Sequence, residues 1–305
     1  MDTIQKSLLE KLTDLHDIPE GAYNIRANGS LGARNTTANI DIVSKTDKDG
    51  IDIIIKPNTK NESVHIPVII SKTGIDDLVY NDFYIGENAD VTIVAGCGIH
   101  NTGDKKSSHD GIHTFHVGKN AKIKYVERHY GQGEGTGENV MNPKTVIEID
   151  DGGYMEMETT QIKGIDSTVR ITEAKLANDA KLVIRESLMT HGKQYAKTDF
   201  TVELNGENSS ANVISRSVAK EESYQVFYSN IKGNNKCAGH TECDAIIMDK
   251  ARVCAIPEIT ANHIDASLIH EAAIGKIAGE QLMKLMTLGL TEEEAEEQIV
   301  NGFLK

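Results

Sequence analysis

Ile85-Gly86-Glu87-Asn88-Ala89-Asp90-Val91, Val117-Gly118-Lys119-Asn120-Ala121-Lys122-Ile123 and Leu176-Ala177-Asn178-Asp179-Ala180-Lys181-Leu182 are three copies of one pattern. An apolar residue leads into a polar turn rich in Gly, Asn and Asp, a small residue follows, and a second apolar run begins. Ile149-Asp150-Asp151-Gly152-Gly153-Tyr154-Met155 and Leu204-Asn205-Gly206-Glu207-Asn208 are weaker copies. Ala89, Ala121, Gly153 and Ala180 are spaced 32, 32 and 27 residues apart. A repeat of that length marks a solenoid or a propeller. Propeller blades need four strands at a longer spacing, and no blade signature recurs, so strands stacked rung on rung are expected. The small residue fits a tight corner, and corner Asn side chains can bond the next rung. Val91, Ile93, Ile123, Tyr125, Leu182 and Ile184 should then point inward.

Upstream, Ile40 and Ile42 alternate with Asn39 and Asp41, and Ile51, Ile53 and Ile55 continue the alternation. Turns fall at Asn28-Gly29 and at Thr46 to Gly50. Asn101 to Asp110 and Gly131 to Asn142 read as polar loops. The Gly-rich run in the second has no helix behind it, as a phosphate cradle would require. At the N-terminus Ile4, Leu8, Leu12 and Leu15 form one helical stripe, ended by Asp17 to Gly21 and expected to cap the core. At the C-terminus Thr291 and Glu294 have capping-box spacing, so a helix should start at Glu292 and stop at Gly302. Gly289 closes a shorter helix over 280–288, which makes a helical hairpin. The expected fold is mainly β: a right-handed parallel β-helix-like solenoid over 23–271, a capping helix within 1–22 and a helical segment over 272–305.

Composition narrows the function. The 305 residues carry a formal net charge of -14, which disfavours non-specific binding to nucleic acid or anionic membrane. Hydrophobic residues make up 39% and aromatics 5%, with no Trp, which suits a narrow extended core of short strands. No apolar run approaches the roughly twenty residues of a membrane span. The first residues show no secretory signature, so a cytoplasmic protein with reduced thiols and no structural disulfide is expected.

The four cysteines are Cys97, Cys237, Cys243 and Cys254, without C-x-x-C spacing. Taken alone, Cys243 beside Ala245 and Ile247 reads as a small core residue. Cys237 reads as lying in an exposed loop from Gly233 to Gly239, and Cys254 as buried. His100, His109, His113 and His116 crowd one region beside Cys97, but their spacings match no compact metal motif. His113 and His116 would face opposite ways in a strand. No nucleophile elbow, H-E-x-x-H or Walker motif is present.

The last sixty or so residues are more specific. Thr241-Glu242-Cys243-Asp244, Pro257-Glu258, His270-Glu271-Ala272-Ala273, Gly275-Lys276-Ile277, Glu280-Gln281-Leu282, Gly289-Leu290, Glu293-Glu294-Ala295, Ile299-Val300 and Gly302-Phe303 follow in order. This block resembles the C-terminal core of the SufB/SufD family, scaffold proteins of the Suf iron-sulfur assembly system, and looks closer to a short SufB-type member. The resemblance implies a non-enzymatic scaffold that holds a transient iron-sulfur cluster. It implies Cys243 as sulfur acceptor and iron ligand, with His270 and Glu271 as further ligands. Cys237 and Cys254 bracket Cys243 and read either as auxiliary thiols or as plain packing, Cys237 being the better candidate. Successive strand residues face opposite ways, so only one of His270 and Glu271 can share Cys243's face. Carry-over favours Glu271, with His270 second. The implied partners are a SufC-like ABC-type ATPase docked on the C-terminal helices, a sulfur donor protein, and a second copy or SufD-like paralogue joined through the solenoid.

Two rivals remain. A β-helix polysaccharide lyase or hydrolase would use clustered acids such as Asp150 and Asp151. A purely structural solenoid would polymerise end to end unless its terminal helices block stacking.

Overall fold

The computed structural model describes residues 3–13 and 19–304. Among the described residues, strands build two ten-stranded sheets, wound as a β-solenoid of about eight turns. Successive strands alternate between the sheets, so Asp90–His100 pairs in parallel with Lys122–Gln132 while Ser107–Val117 lies in the opposite sheet. The start departs from the all-parallel expectation. Ala22–Ala27 with Ser30–Asn35, and Ile40–Ser44 with Gly50–Ile55, are antiparallel pairs. These hairpins give the first rungs a partner in place of an open edge.

The corners follow from the repeat. Asn58, Asn88, Asn120, Asp179 and Asn208 take φ values between 54 and 62°, a left-handed conformation that Asn and Asp tolerate. The residues Ala89, Ala121 and Ala180 behind three of those corners are fully buried. Side chains of stacked corners bond each other, as Asn88 Nδ2 does to Asn58 Oδ1 at 3.3 Å and Asn262 Nδ2 to Asn234 Oδ1 at 2.7 Å. A Cβ on Gly118 would lie 2.6 Å from the Ile85 carbonyl oxygen, so the rung spacing itself demands glycine there.

Inside, equivalent residues form files along the solenoid. Val91, Ile93, Ile123, Tyr125, Leu182 and Ile184 are all buried, as their phase predicts. Phe83 stacks on Phe115 of the next rung with ring centroids 4.3 Å apart. Two loops are shorter than expected, because Ser107–Val117 begins within one and Asn139–Met141 forms a strand within the other.

Helix α1, Thr3–Thr13, does not cap the open end. Leu8 and Leu9 pack with Ile25 and Ile69 on the outer face of one sheet, and Gly98 leaves room for Leu8 and Leu12. Leu15 and Asp17 lie outside the described residues. Helices α2, Gly279–Met286, and α3, Glu292–Phe303, form the expected hairpin. Thr291 Oγ1 accepts from Glu294 N at 3.2 Å and Thr291 N donates to Glu294 Oε2 at 2.8 Å, completing the capping box. Gly289 turns the chain at φ 99°. Gly302 does not stop α3. The right-handed turn runs on, and Leu304 N bonds the Val300 carbonyl at 3.1 Å.

Among the described residues, no element covers the C-terminal end of the solenoid. The strands Arg252–Ala261 and Ala266–Gly275 are edge strands and largely exposed. Ile256, Ile259, Ile264, Ile269 and Ile274 all face solvent, Ile264 at 95%. The helical hairpin instead reaches back along the outside, where Ser187 Oγ donates to the Leu304 carbonyl at 2.9 Å.

Candidate functional site

The inward files are aliphatic near the corners and polar further along the strands. In one file Glu127, Thr159, Glu186, Ser215 and Cys243 are successive cross-strand neighbours. From the opposite sheet Arg170 enters between the acids, with Nη1 2.6 Å from Glu127 Oε2 and Nε 3.6 Å from Glu186 Oε1. Glu186 also accepts from Thr198 Oγ1 at 2.8 Å and Ser215 Oγ at 2.7 Å. Tyr125 Oη donates to Glu127 at 3.1 Å and lies 2.8 Å from His113 Nδ1, so that nitrogen carries the proton. Asn81 Nδ2 meets the remaining His113 lone pair at 3.3 Å. Burial opposes charge on Glu127, but His129 and Arg170 outweigh it and hold the carboxyl well below its usual range. Burial pushes His113 down to about 4 and lowers His129 as well.

Sequence reasoning passed over Glu127, His129, Arg170 and Glu186. Their signal was phase: Glu127 follows Tyr125 by two and Glu186 follows Ile184 by two, which places ionisable groups on the buried face.

Cys243 ends this polar file and also joins the apolar core, with 1% exposure. It is therefore not an exposed thiol. Burial, with Glu186 and Asp244 adding to it, pushes its pKa up to about 12, so the thiol is protonated at neutral pH. In the terminal strand Ala272 is its partner, and His270 pairs with Thr241. His270 Nδ1 lies 2.6 Å from Thr241 Oγ1, and burial lowers its pKa. Thr241 and Cys243 are inward, so the register puts His270 on Cys243's face. Glu271 stands on the opposite, outer face, mostly exposed, with Oε2 3.3 Å from His240 Nε2. Of the two, His270 is therefore the one that shares Cys243's face.

Cys237 is not in a loop. It opens the strand Cys237–Ile247 and is buried, its pKa raised by burial. Cys254 is half-buried rather than enclosed, because its rung is the last of its sheet. His109 and His113 point inward, whereas His116 stacks outside on Tyr84 and contacts Glu148 at 3.0 Å. Among the described residues, His100, His109, His113 and His116 form no ligand set. Asp150 and Asp151 are engaged in a corner. Asp151 N donates to Asp150 Oδ1 at 2.8 Å, and Asp151 Oδ1 accepts from Asn178 N at 3.1 Å.

The family model of the SUF system FeS cluster assembly SufBD core domain matches residues 80–303. The chain belongs to the SufBD family of iron-sulfur cluster assembly proteins. It is 31% identical over 255 residues to an iron-sulfur cluster assembly SufBD family protein of Methanocaldococcus jannaschii, covering 83% of this chain and 79% of that protein. It is 33% identical over 228 residues to a SufBD family protein of Methanothermobacter thermautotrophicus, covering 72% of this chain and 53% of that protein. Similarity to the iron-sulfur cluster assembly protein SufB of Bacillus subtilis is 36% over 102 residues, 32% of this chain and 22% of that one. No helix of the described residues is long and apolar enough to cross a membrane.

Proposed function

We propose that this chain is a scaffold on which iron and sulfide are assembled into a transient cluster that is then handed on. The observation that carries this reading is the shared inner face of Cys243 and His270, in the last two rungs of one sheet, where the solenoid is open. A thiolate and an imidazole are soft and borderline ligands for iron, and a mixed set holds a cluster more loosely than four thiolates. With its pKa at about 12, Cys243 must release a proton when it ligates iron. Glu271, on the outer face, serves as a separate contact for iron.

The open end supplies the rest. A second copy, or a SufD-like paralogue, covers the exposed isoleucines and unpaired strand edges and completes the ligand set. A SufC-like ABC-type ATPase docks on the hairpin, where α2 has no buried residue and Met283, Met286 and Leu288 are exposed. A separate donor protein supplies sulfur.

Burial of Cys243 in the apolar cluster favours a second reading, that of a packing residue. Anaerobic reconstitution with iron and sulfide separates the two. The scaffold reading expects a coloured wild type, a colourless Cys243→Ser and a Cys97→Ser that matches wild type. A folded Cys243→Ser that assembles a normal cluster establishes the packing reading.

A further inference from the structure

We propose that His240, Glu242 and Glu271 form a mononuclear site for a divalent first-row transition-metal ion, on the outer face of the sheet that carries Cys243 on its inner face. The ligand atoms of the three side chains all lie within 4.8 Å of one another. Strand pairing creates the arrangement. Glu242 lies directly opposite Glu271 in the parallel pair, and His240 is two residues before Glu242 on the same face. Like charges directly opposite each other repel, and Asp244, the next outward residue, adds a third carboxylate. Arg216, the cross-strand partner of Asp244, is the cation that acts on Glu242. Burial and the hydrogen-bonded Asp244 raise the Glu242 pKa, so the group resists carrying its full negative charge without a cation.

The imidazole points the same way. His240 Nδ1 lies 3.0 Å from Asn212 Oδ1, and Nε2 lies 3.3 Å from Glu271 Oε2. Both partners are acceptor oxygens, and a neutral ring has one proton for the two. The bond to Asn212 takes that proton at Nδ1 and leaves the Nε2 lone pair directed at the carboxylates. A metal ion between them satisfies all three groups, and Asn212 acts as the positioning residue that fixes the tautomer. One nitrogen and two carboxylate oxygens suit iron(II), manganese(II), cobalt(II) or zinc(II), which prefer such borderline and hard donors. None of these atoms belongs to the inner face, so the site is distinct from Cys243. It shares Glu271 with the scaffold reading, but its test involves no cluster, so the two fail separately.

The test is anaerobic titration of the full chain with cobalt(II), read by calorimetry and visible absorption. Wild type and Cys243→Ser should each bind one equivalent, with weak ligand-field bands and no intense thiolate charge transfer. Glu242→Gln and His240→Ala should weaken binding more than tenfold. Both substitutions are on the surface, and thermal unfolding without metal should show Glu242→Gln at least as stable as wild type. Asn212→Ala should weaken binding roughly 10- to 100-fold, while Asn212→Asp, which keeps the acceptor, should restore it. Unchanged cobalt affinity in folded Glu242→Gln and His240→Ala overturns the proposal. So does a charge-transfer band that disappears in Cys243→Ser, which would place the ion on the thiol.

Discussion

Arg170 and His270 lie in opposite circumstances within one solenoid. Arg170, in the middle, is enclosed by Glu127, Glu186 and His129, with complete rungs on either side. His270, in the terminal strand, has Thr241 on one side and no further rung on the other. In the middle, every rung is covered by the next, so ionisable groups must find partners within the chain or remain neutral. At the end, the same strand geometry leaves polar and apolar side chains without a covering rung. The middle satisfies its own charges, and the end leaves side chains exposed.

The largest effect should come from breaking the middle. Arg170→Ala leaves Glu127 and Glu186 facing each other without a cation. Loss of one member of a buried ion set costs about 3–5 kcal/mol. Urea unfolding should show this as a large drop in midpoint, and an unchanged midpoint would mean that solvent reaches the interior.

Acid should act on the same region. His113 titrates at about 4 in the fold against an ordinary 6.5, because burial resists its protonation. Between those values the unfolded chain takes up a proton that the native chain refuses, so stability falls as pH drops from about 6.5 to 4. The expected loss is on the order of 3 kcal/mol for this group alone. His129 is shifted in the same direction. Asp77 adds a later step. Burial pushes it up, but His109 and Arg26 outweigh burial and hold it at about 2, so its contribution is present above pH 4 and lost as pH falls toward 2. Urea midpoints at pH 7, 5 and 3 measure the series, and His113→Asn should flatten its first part.

At the C-terminal end, stability effects should shrink while functional effects grow. Cys243→Ser places a hydroxyl beside Ser215 and should cost about 1 kcal/mol, yet abolish the coloured cluster. Deleting residues 291–305 should change the solenoid's unfolding midpoint least, while abolishing co-purification with the proposed SufC-like ATPase. Retained co-purification would move the dock elsewhere. A large loss of stability would show that the Ser187 contact to Leu304 supports the sheet.

Much of the architecture was written locally. The turn copies beginning at Ile85, Val117 and Leu176 carry their own corner chemistry, because Asn and Asp enter the left-handed region and only a small residue fits behind them. The period-two runs fixed which residues face inward. Thr291 with Glu294 set the start of α3 because a capping box involves only neighbours in sequence. The family resemblance singled out Cys243, His270 and Glu271 as candidates.

What the sequence could not determine depended on which strands become neighbours. The placement of Arg170 between Glu127 and Glu186 joins residues 43 and 16 positions apart across two sheets. The pairing of Glu242 with Glu271, and of His270 with Thr241, depends on the register between strands 29 residues apart. That register separates His270 from Glu271 onto two faces, and with them the inner thiol from the outer carboxylates. Local sequence determines turns and phase because those are short-range steric preferences. Only the stacking of rungs decides which charges are buried together and which end of the solenoid remains open.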